Sequence, residues 1–201
     1  MTGRIVVLIS GSGTNMEALA DACDRGEVPG SVVAVVADRD CLGLRVAEKR
    51  DLPTELVDFS SYPARDEWSI ALRDRVQSYE PDLVVSAGFM RILAPAFVDA
   101  FSERLINLHP ALLPSFAGAH GVRDALEHGV KVTGSTVHFV DHLVDHGPIL
   151  LQEAVEVKDD DTAETLHERI KAVEHRLLPK ACGLILDGKV SIEGTRVRVH
   201  D

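Results

Sequence analysis

Short apolar runs alternate along the chain with longer stretches in which apolar positions recur every three or four residues. The runs at 4–10, 31–37, 54–59, 82–87 and 104–109 predict strands. Val32-Val33-Ala34-Val35-Val36 and Leu83-Val84-Val85 are apolar without alternation, as parallel strands covered on both faces are. Helix candidates lie between them at 15–25, 43–50, 65–79, 95–103 and 121–128. This order predicts an α/β fold with a doubly wound, mostly parallel sheet. After residue 130 the rhythm changes. Strands at 132–140 and 148–157 are separated only by Asp141–Gly147, too short for a crossover helix, so an antiparallel excursion is expected. A long helix follows, with Asp161 in the cap role and a capping-box-like spacing to Glu164. Leu166, Ile170, Val173 and Leu177 form its buried stripe, and Pro179, which lacks an amide donor, is expected to kink or end it. From Lys189 to Asp201 valine and isoleucine alternate with polar residues, as in a peripheral hairpin or a loose strand. With no repeat, linker or shift of composition, residues 1–201 read as one domain.

Composition narrows the partners. The 201 residues are 45% apolar and 26% charged, the make-up of an ordinary globular domain. A formal net charge of −11 argues against nucleic acid and anionic membranes, yet leaves room for a small anion held by local donors. Cys23, Cys41 and Cys182 are odd in number and far apart, with no Cys-x-x-Cys, so free thiols of a reducing compartment are expected. Ile5–Ile9 is too short for a signal-peptide core, and no stretch approaches the ~18 apolar residues of a membrane span. The chain reads as cytoplasmic.

The candidate chemistry centres on residues 104–116. Asn107 and His109 are two apart in a predicted strand, so both point to one side with Leu105, while Ile106 and Leu108 point to the other. Pro110 biases His109 away from the helical region, which favours a strand end, where open α/β sheets hold ligands. Asp145 is either a solvated loop carboxylate or the partner of His109. In the second case Asn107, His109 and Asp145 supply a hydrogen-bond donor, a proton carrier and its orienter, a set suited to acyl transfer. No serine or cysteine stands out as a nucleophile, so the attacking group is expected to belong to the substrate.

Three further features have two readings each. Gly11-Ser12-Gly13-Thr14-Asn15, between a strand and a helix, is either an anion site or a tight turn capped by Thr14 or Asn15. It matches neither a dinucleotide fingerprint, since Met16 occupies the third glycine position, nor a Walker A loop. Phe89–Leu93 either lines a pocket for a flat ring or tucks under its own helix, and Lys171 with Glu174 reads as a solvated pair. His142 and His146 have metal-ligand spacing for a helix, but Gly147-Pro148 disfavours a helix there, so no metal is expected.

Ile-Ser-Gly-Ser-Gly-Thr-Asn at 9–15, Ala-Gly-Phe-Met-Arg-Ile-Leu at 87–93, Asn-Leu-His-Pro-Ala-Leu-Leu-Pro at 107–114, and Val-His-Phe-Val with Asp145-His-Gly-Pro-Ile occur together. This set, over roughly residues 4–182, resembles the folate-dependent phosphoribosylglycinamide formyltransferases. The resemblance implies a Rossmann-like formyltransferase fold and transfer of formyl from 10-formyltetrahydrofolate, as co-substrate, to glycinamide ribonucleotide. It implies that Asn107, His109 and Asp145 are catalytic, with Asp145 keeping His109 protonated. Gly13, Thr14 and Asn15 would hold the ribonucleotide phosphate, with Glu174 near the glycinamide amine. Arg65, Met90, Arg91, Ile92, Leu93 and Asn107 would meet the folate. Its partners would be small molecules, not nucleic acid or membrane, and a homodimer is left open. Thr14 stands where serine is more usual, Ala111 where serine is frequent, and Ser115-Phe116-Ala117 replaces a Lys-Tyr-Pro-like run.

Other readings remain beside it. A methionyl-tRNA formyltransferase shares Asn-x-His-Pro but is expected to carry an RNA-binding domain and positive surface, against which −11 counts. A formyltetrahydrofolate hydrolase is expected to carry an extra N-terminal domain. A non-catalytic nucleotide-binding module would leave Asn107, His109 and Asp145 without a purpose.

Overall fold

The predicted strands form and pair into one sheet in the computed structural model, which describes residues 2–200. Met1 and Asp201, the ends of the predicted domain, lie outside the described residues. The elements in order are β1 (Gly3–Ile9), α1 (Thr14–Asp24), β2 (Gly30–Ala37), α2 (Leu42–Glu48), β3 (Thr54–Leu56), α3 (Arg65–Gln77), β4 (Leu83–Ser86) and α4 (Pro95–Ala100). Then come β5 (Leu105–His109), α5 (Gly121–His128), β6 (Val132–Phe139), β7 (Ile149–Glu156), α6 (Ala163–Leu186), β8 (Val190–Glu193) and β9 (Arg196–Val199).

The sheet order is β3-β2-β1-β4-β5-β6-β7-β9-β8. β1 to β5 run parallel, and β6 is antiparallel to both β5 and β7, which is the expected excursion. Beyond it, β8 and β9 form a hairpin that joins β7 through Ile149 and Arg196. Apolar residues of β1 serve both layers. Ile5, Val7 and Ile9 pack with Met16 and Leu19 of α1 and with Leu166 and Ile170 of α6. Val6 and Leu8 pack with Trp68 and Leu72 of α3 and Phe97 of α4. Burial of each such side chain contributes roughly 1.5–3 kcal/mol, which is why non-alternating runs mark the sheet centre.

Four local expectations are corrected. The strand expected at 54–59 ends at Leu56, because the Asp58 side chain accepts from the Ser60 amide and turns the chain into a short 3₁₀ helix at Phe59–Ser61. α4 stops at Ala100 rather than 103, with Glu103 at a φ of 61°. Thr162, not Asp161, caps α6: its hydroxyl accepts from the Thr165 amide, and the Thr165 hydroxyl accepts from the Thr162 amide. Asp161 instead pairs with Arg169. Pro179 does not end α6, which runs on to Leu186 with Leu177, Leu178 and Pro179 all buried, so packing holds the helix across the missing donor.

Candidate active site

β1 lies between β2 and β4, so the chain leaves the sheet centre in opposite directions and opens a crevice at the strands' carboxyl ends. The segments after β1, β4 and β5, the loop 141–147 and one face of α6 line a cavity of about 710 Å³ there.

Asn107 and His109 end β5 and both line this cavity, while Ile106 and Leu108 pack in the core on the opposite face of the sheet from Leu105, as the alternation predicts. The loop between β6 and β7 returns Asp145 to them. Its path needs Gly147, where a Cβ would lie 2.0 Å from the Phe139 carbonyl oxygen. Asp145 Oδ2 is 3.4 Å from His109 Nδ1, and Asp145 Oδ1 is 3.4 Å from Asn107 Nδ2. The Asp145 side chain is only 11% exposed, which overturns the reading of a solvated loop carboxylate. Burial works to raise its pKa, but His138, the Gly118 amide and the charge of His109 outweigh that and hold it below the usual carboxylate value. The Gly118 amide donates to Oδ2 at 2.7 Å. His109 Nε2 is 2.8 Å from the Phe116 carbonyl oxygen, so both ring nitrogens face acceptors.

His138, which is not among the residues singled out from the sequence, also lines the cavity. It faces Asn107 across the antiparallel β5–β6 pair. Its Nδ1 donates to the Phe139 carbonyl at 2.8 Å, and its Nε2 lies 3.2 Å from Asn107 Nδ2. The same Nε2 is 3.6 Å from Asp145 Oδ1. Only the strand register reveals this.

At the other end of the cavity Gly13 turns the chain into α1 at a φ of 78°, and a Cβ there would lie 2.7 Å from Gly43 Cα. No side chain caps α1, so neither Thr14 nor Asn15 plays the capping role of the turn-only reading. Asn15 Nδ2 instead donates to Glu174 Oε2 at 2.8 Å, and the Asn15 Oδ1 is buried without a partner among the described residues. Glu174 is 3% exposed and its partner is Asn15, while Lys171 pairs with Glu168. The expected solvated Lys171–Glu174 pair is therefore corrected. Burial raises the pKa of Glu174, opposed by Asn15, Lys171 and Ser135. His167 and Lys171, on the same face of α6, also line the cavity, and burial followed by the Lys171 charge lowers the pKa of His167.

Phe89, Met90, Arg91, Ile92 and Leu93 all line the cavity, and Phe89, itself buried, stacks on Trp68. Met90 and Ile92, with Leu143 and Val144 of the facing loop, are more than half exposed. Arg65 is not brought to the site. It lies on the exposed first turn of α3 beside Asp66 and is absent from the cavity wall, because α3 starts beyond the short 3₁₀ helix. His142 and His146 pair separately with Asp99 and Asp141, and no group of three or more metal-ligating side chains is found among the described residues. Among the described residues no helix is long and apolar enough to cross a membrane.

The family model described as "Formyl transferase" matches residues 3–182. A phosphoribosylglycinamide formyltransferase of Mycobacterium tuberculosis is 50% identical over 95% of this chain and 88% of its own length. The Escherichia coli protein of the same name is 40% identical over 94% of this chain and 90% of its own. The crystal structure of glycinamide ribonucleotide transformylase 1 from Symbiobacterium toebii superposes with a TM-score of 0.97 at 49% identity, covering 100% of this chain and 95% of that one.

Proposed function

The chain belongs to the formyl transferase family, and from that premise we propose that it moves the formyl group of 10-formyltetrahydrofolate onto the amine of 5′-phosphoribosylglycinamide. The products are formylglycinamide ribonucleotide and tetrahydrofolate, a step of purine biosynthesis. The observation that carries this reading is the convergence of Asn107, His109 and Asp145 in one cavity whose two ends differ in character. The Gly13–Asn15 end, with Lys171 and Glu174, suits a phosphorylated amine, and the Met90–Leu93 end suits a flat, largely apolar ring. The whole chain acts as one formyltransferase domain.

The substrate amine is the nucleophile. No cysteine lines the cavity, and neither of its lining serines on β4 and the first loop, Ser86 and Ser12, bonds to a histidine among the described residues. As the amine nitrogen bonds to the formyl carbon, the carbonyl oxygen gains negative charge. Asn107 Nδ2 and protonated His109 stabilise that oxygen. Nδ1 faces Asp145, and Nε2, which meets the Phe116 carbonyl when no substrate is bound, turns to the formyl oxygen when the substrates enter. The carbon–N10 bond then breaks, the amine loses a proton and N10 gains one, with His109 placed to carry it. His138 acts through Asn107, fixing which way its amide points. Glu174 and the unpartnered Asn15 Oδ1 are acceptors for the donors of the ribonucleotide.

Purified protein given both substrates should release tetrahydrofolate in step with formylated ribonucleotide. Asn107→Ala should cut kcat about 10²–10³-fold, the usual effect of removing one oxyanion donor. Folate cleavage to formate without ribonucleotide would indicate a hydrolase instead, and a variant that changes only the folate KM would make Asn107 a recognition residue.

A further inference from the structure

Asp38 stands at the end of β2, outside the cavity wall, with its side chain fully buried. A buried carboxylate is costly unless its charge is answered, and here two arginines answer it. Arg39 donates through Nε and Nη2 to Asp38 Oδ2, at 3.1 and 2.8 Å. Arg91 Nε donates to the same oxygen at 2.7 Å. Burial opposes the charge, but Arg39, Ser10 and Arg91 outweigh it and hold the carboxyl below its usual pKa.

Arg91 belongs to the stretch that lines the folate-facing end of the cavity, yet its guanidinium turns inward. It lies 4.0 Å from the centroid of the Phe59 ring, between that ring and Asp38. The neighbouring backbone is tied to the same place. The Met90 amide donates to the Ser10 hydroxyl at 2.8 Å, and that hydroxyl stands beside Asp38. The Ser10 amide in turn donates to the Gly88 carbonyl at 3.2 Å. The exposed Met90 and Ile92 thus project from a stretch whose intervening residue, Arg91, is anchored to one buried charge.

We propose that Asp38 is a positioning residue for the Met90–Leu93 segment, holding it through Arg91 in the shape that receives the folate ring. This rests on the formyl-transfer reading of the cavity. Asp38 itself reaches neither substrate. Its effect is specific, because Arg91 ties it to the folate-facing segment.

The test combines turnover with a binding measurement that does not depend on turnover. Trp68 is the only tryptophan and stacks on Phe89 with ring centroids 6.0 Å apart, so its fluorescence reports on this segment. Asp38→Ala should raise the 10-formyltetrahydrofolate KM, and the Kd for tetrahydrofolate read from Trp68, by about tenfold, the scale of one lost charge-assisted bond. Its kcat and ribonucleotide KM should stay within about twofold of wild type. Combining it with Arg91→Met should add little to the worse single variant if the two act through each other. Should Asp38→Ala fail to fold, Asp38→Asn keeps the volume, removes the charge and carries the same measurements. A folded variant with unchanged folate Kd, or with both substrate KM values raised equally, overturns the proposal. A wild-type protein that binds tetrahydrofolate but transfers no formyl overturns the activity and leaves the Asp38 arm readable.

Discussion

His109 and Asp145 are the pair on which single side chains have most leverage. Their 3.4 Å separation and the Gly118 amide on the same carboxylate make Asp145 a fixed anion rather than a mobile one. Asp145→Asn keeps the shape and removes the charge beside the ring, and His109→Ala removes the proposed proton carrier. Each should lower kcat/KM by about 10²–10⁴. Because the two act as a unit, the double variant should be little worse than the worse single one. Losses that add fully in activation free energy would leave Asp145 as a structural carboxylate only. The sequence set His109 at a strand end and left Asp145 with two readings. His138 escaped it, since a histidine on a buried strand gains its meaning from the residue across the ladder, and register is not written in one strand alone.

Among the elements, the turn into α1 shows how local geometry restricts what can be tested. Gly13 has a positive φ and stands against the Gly43 backbone, so any side chain there strains the turn by about 1–3 kcal/mol, whatever the loop binds. Thr14→Val is the cleaner probe, since it keeps the shape and deletes the hydroxyl. It should raise the ribonucleotide KM severalfold, leave the folate KM unchanged and leave thermal unfolding where it was. Equal change in both KM values would return the loop to a plain strand-to-helix turn. The helices themselves were legible from apolar spacing, and α5 fell on its predicted residues, 121–128. The α6 cap was misplaced by one residue because Asp161 and Thr162 are both good caps, and only the salt bridge from Arg169 shows which one is otherwise engaged.

For the molecule as a whole, four carboxylates set opposite trends with pH. Asp38, Asp145 and Asp161, the last held down to about 2 chiefly by Arg169, have lowered pKa values. Their stabilisation is present above the unfolded value of 3.8 and is lost as pH falls through their folded values. Glu174 is raised by burial, so its contribution is complete below the unfolded value of 4.5 and is lost as pH rises through the folded one. Glu174→Gln should therefore gain stability relative to wild type as pH rises from about 4.5 towards neutrality, measured by denaturant unfolding at several pH values. A difference that does not change with pH would mean that the carboxylate ionises there without penalty. By itself the chain determined the α/β rhythm, the antiparallel turn-back after residue 130 and the placing of Asn107 and His109 on one side of a strand end. Those follow from local causes: apolar period, a connection too short for a helix, and side chains two apart on one strand. Tertiary structure alone decided that Asp145 is buried beside His109, that Glu174 answers Asn15 rather than Lys171, that Arg91 turns to Asp38, and that Arg65 stays outside. Each of these joins residues from separate elements, and a pairing of that kind is set by how the layers dock, a long-range condition that no local pattern carries.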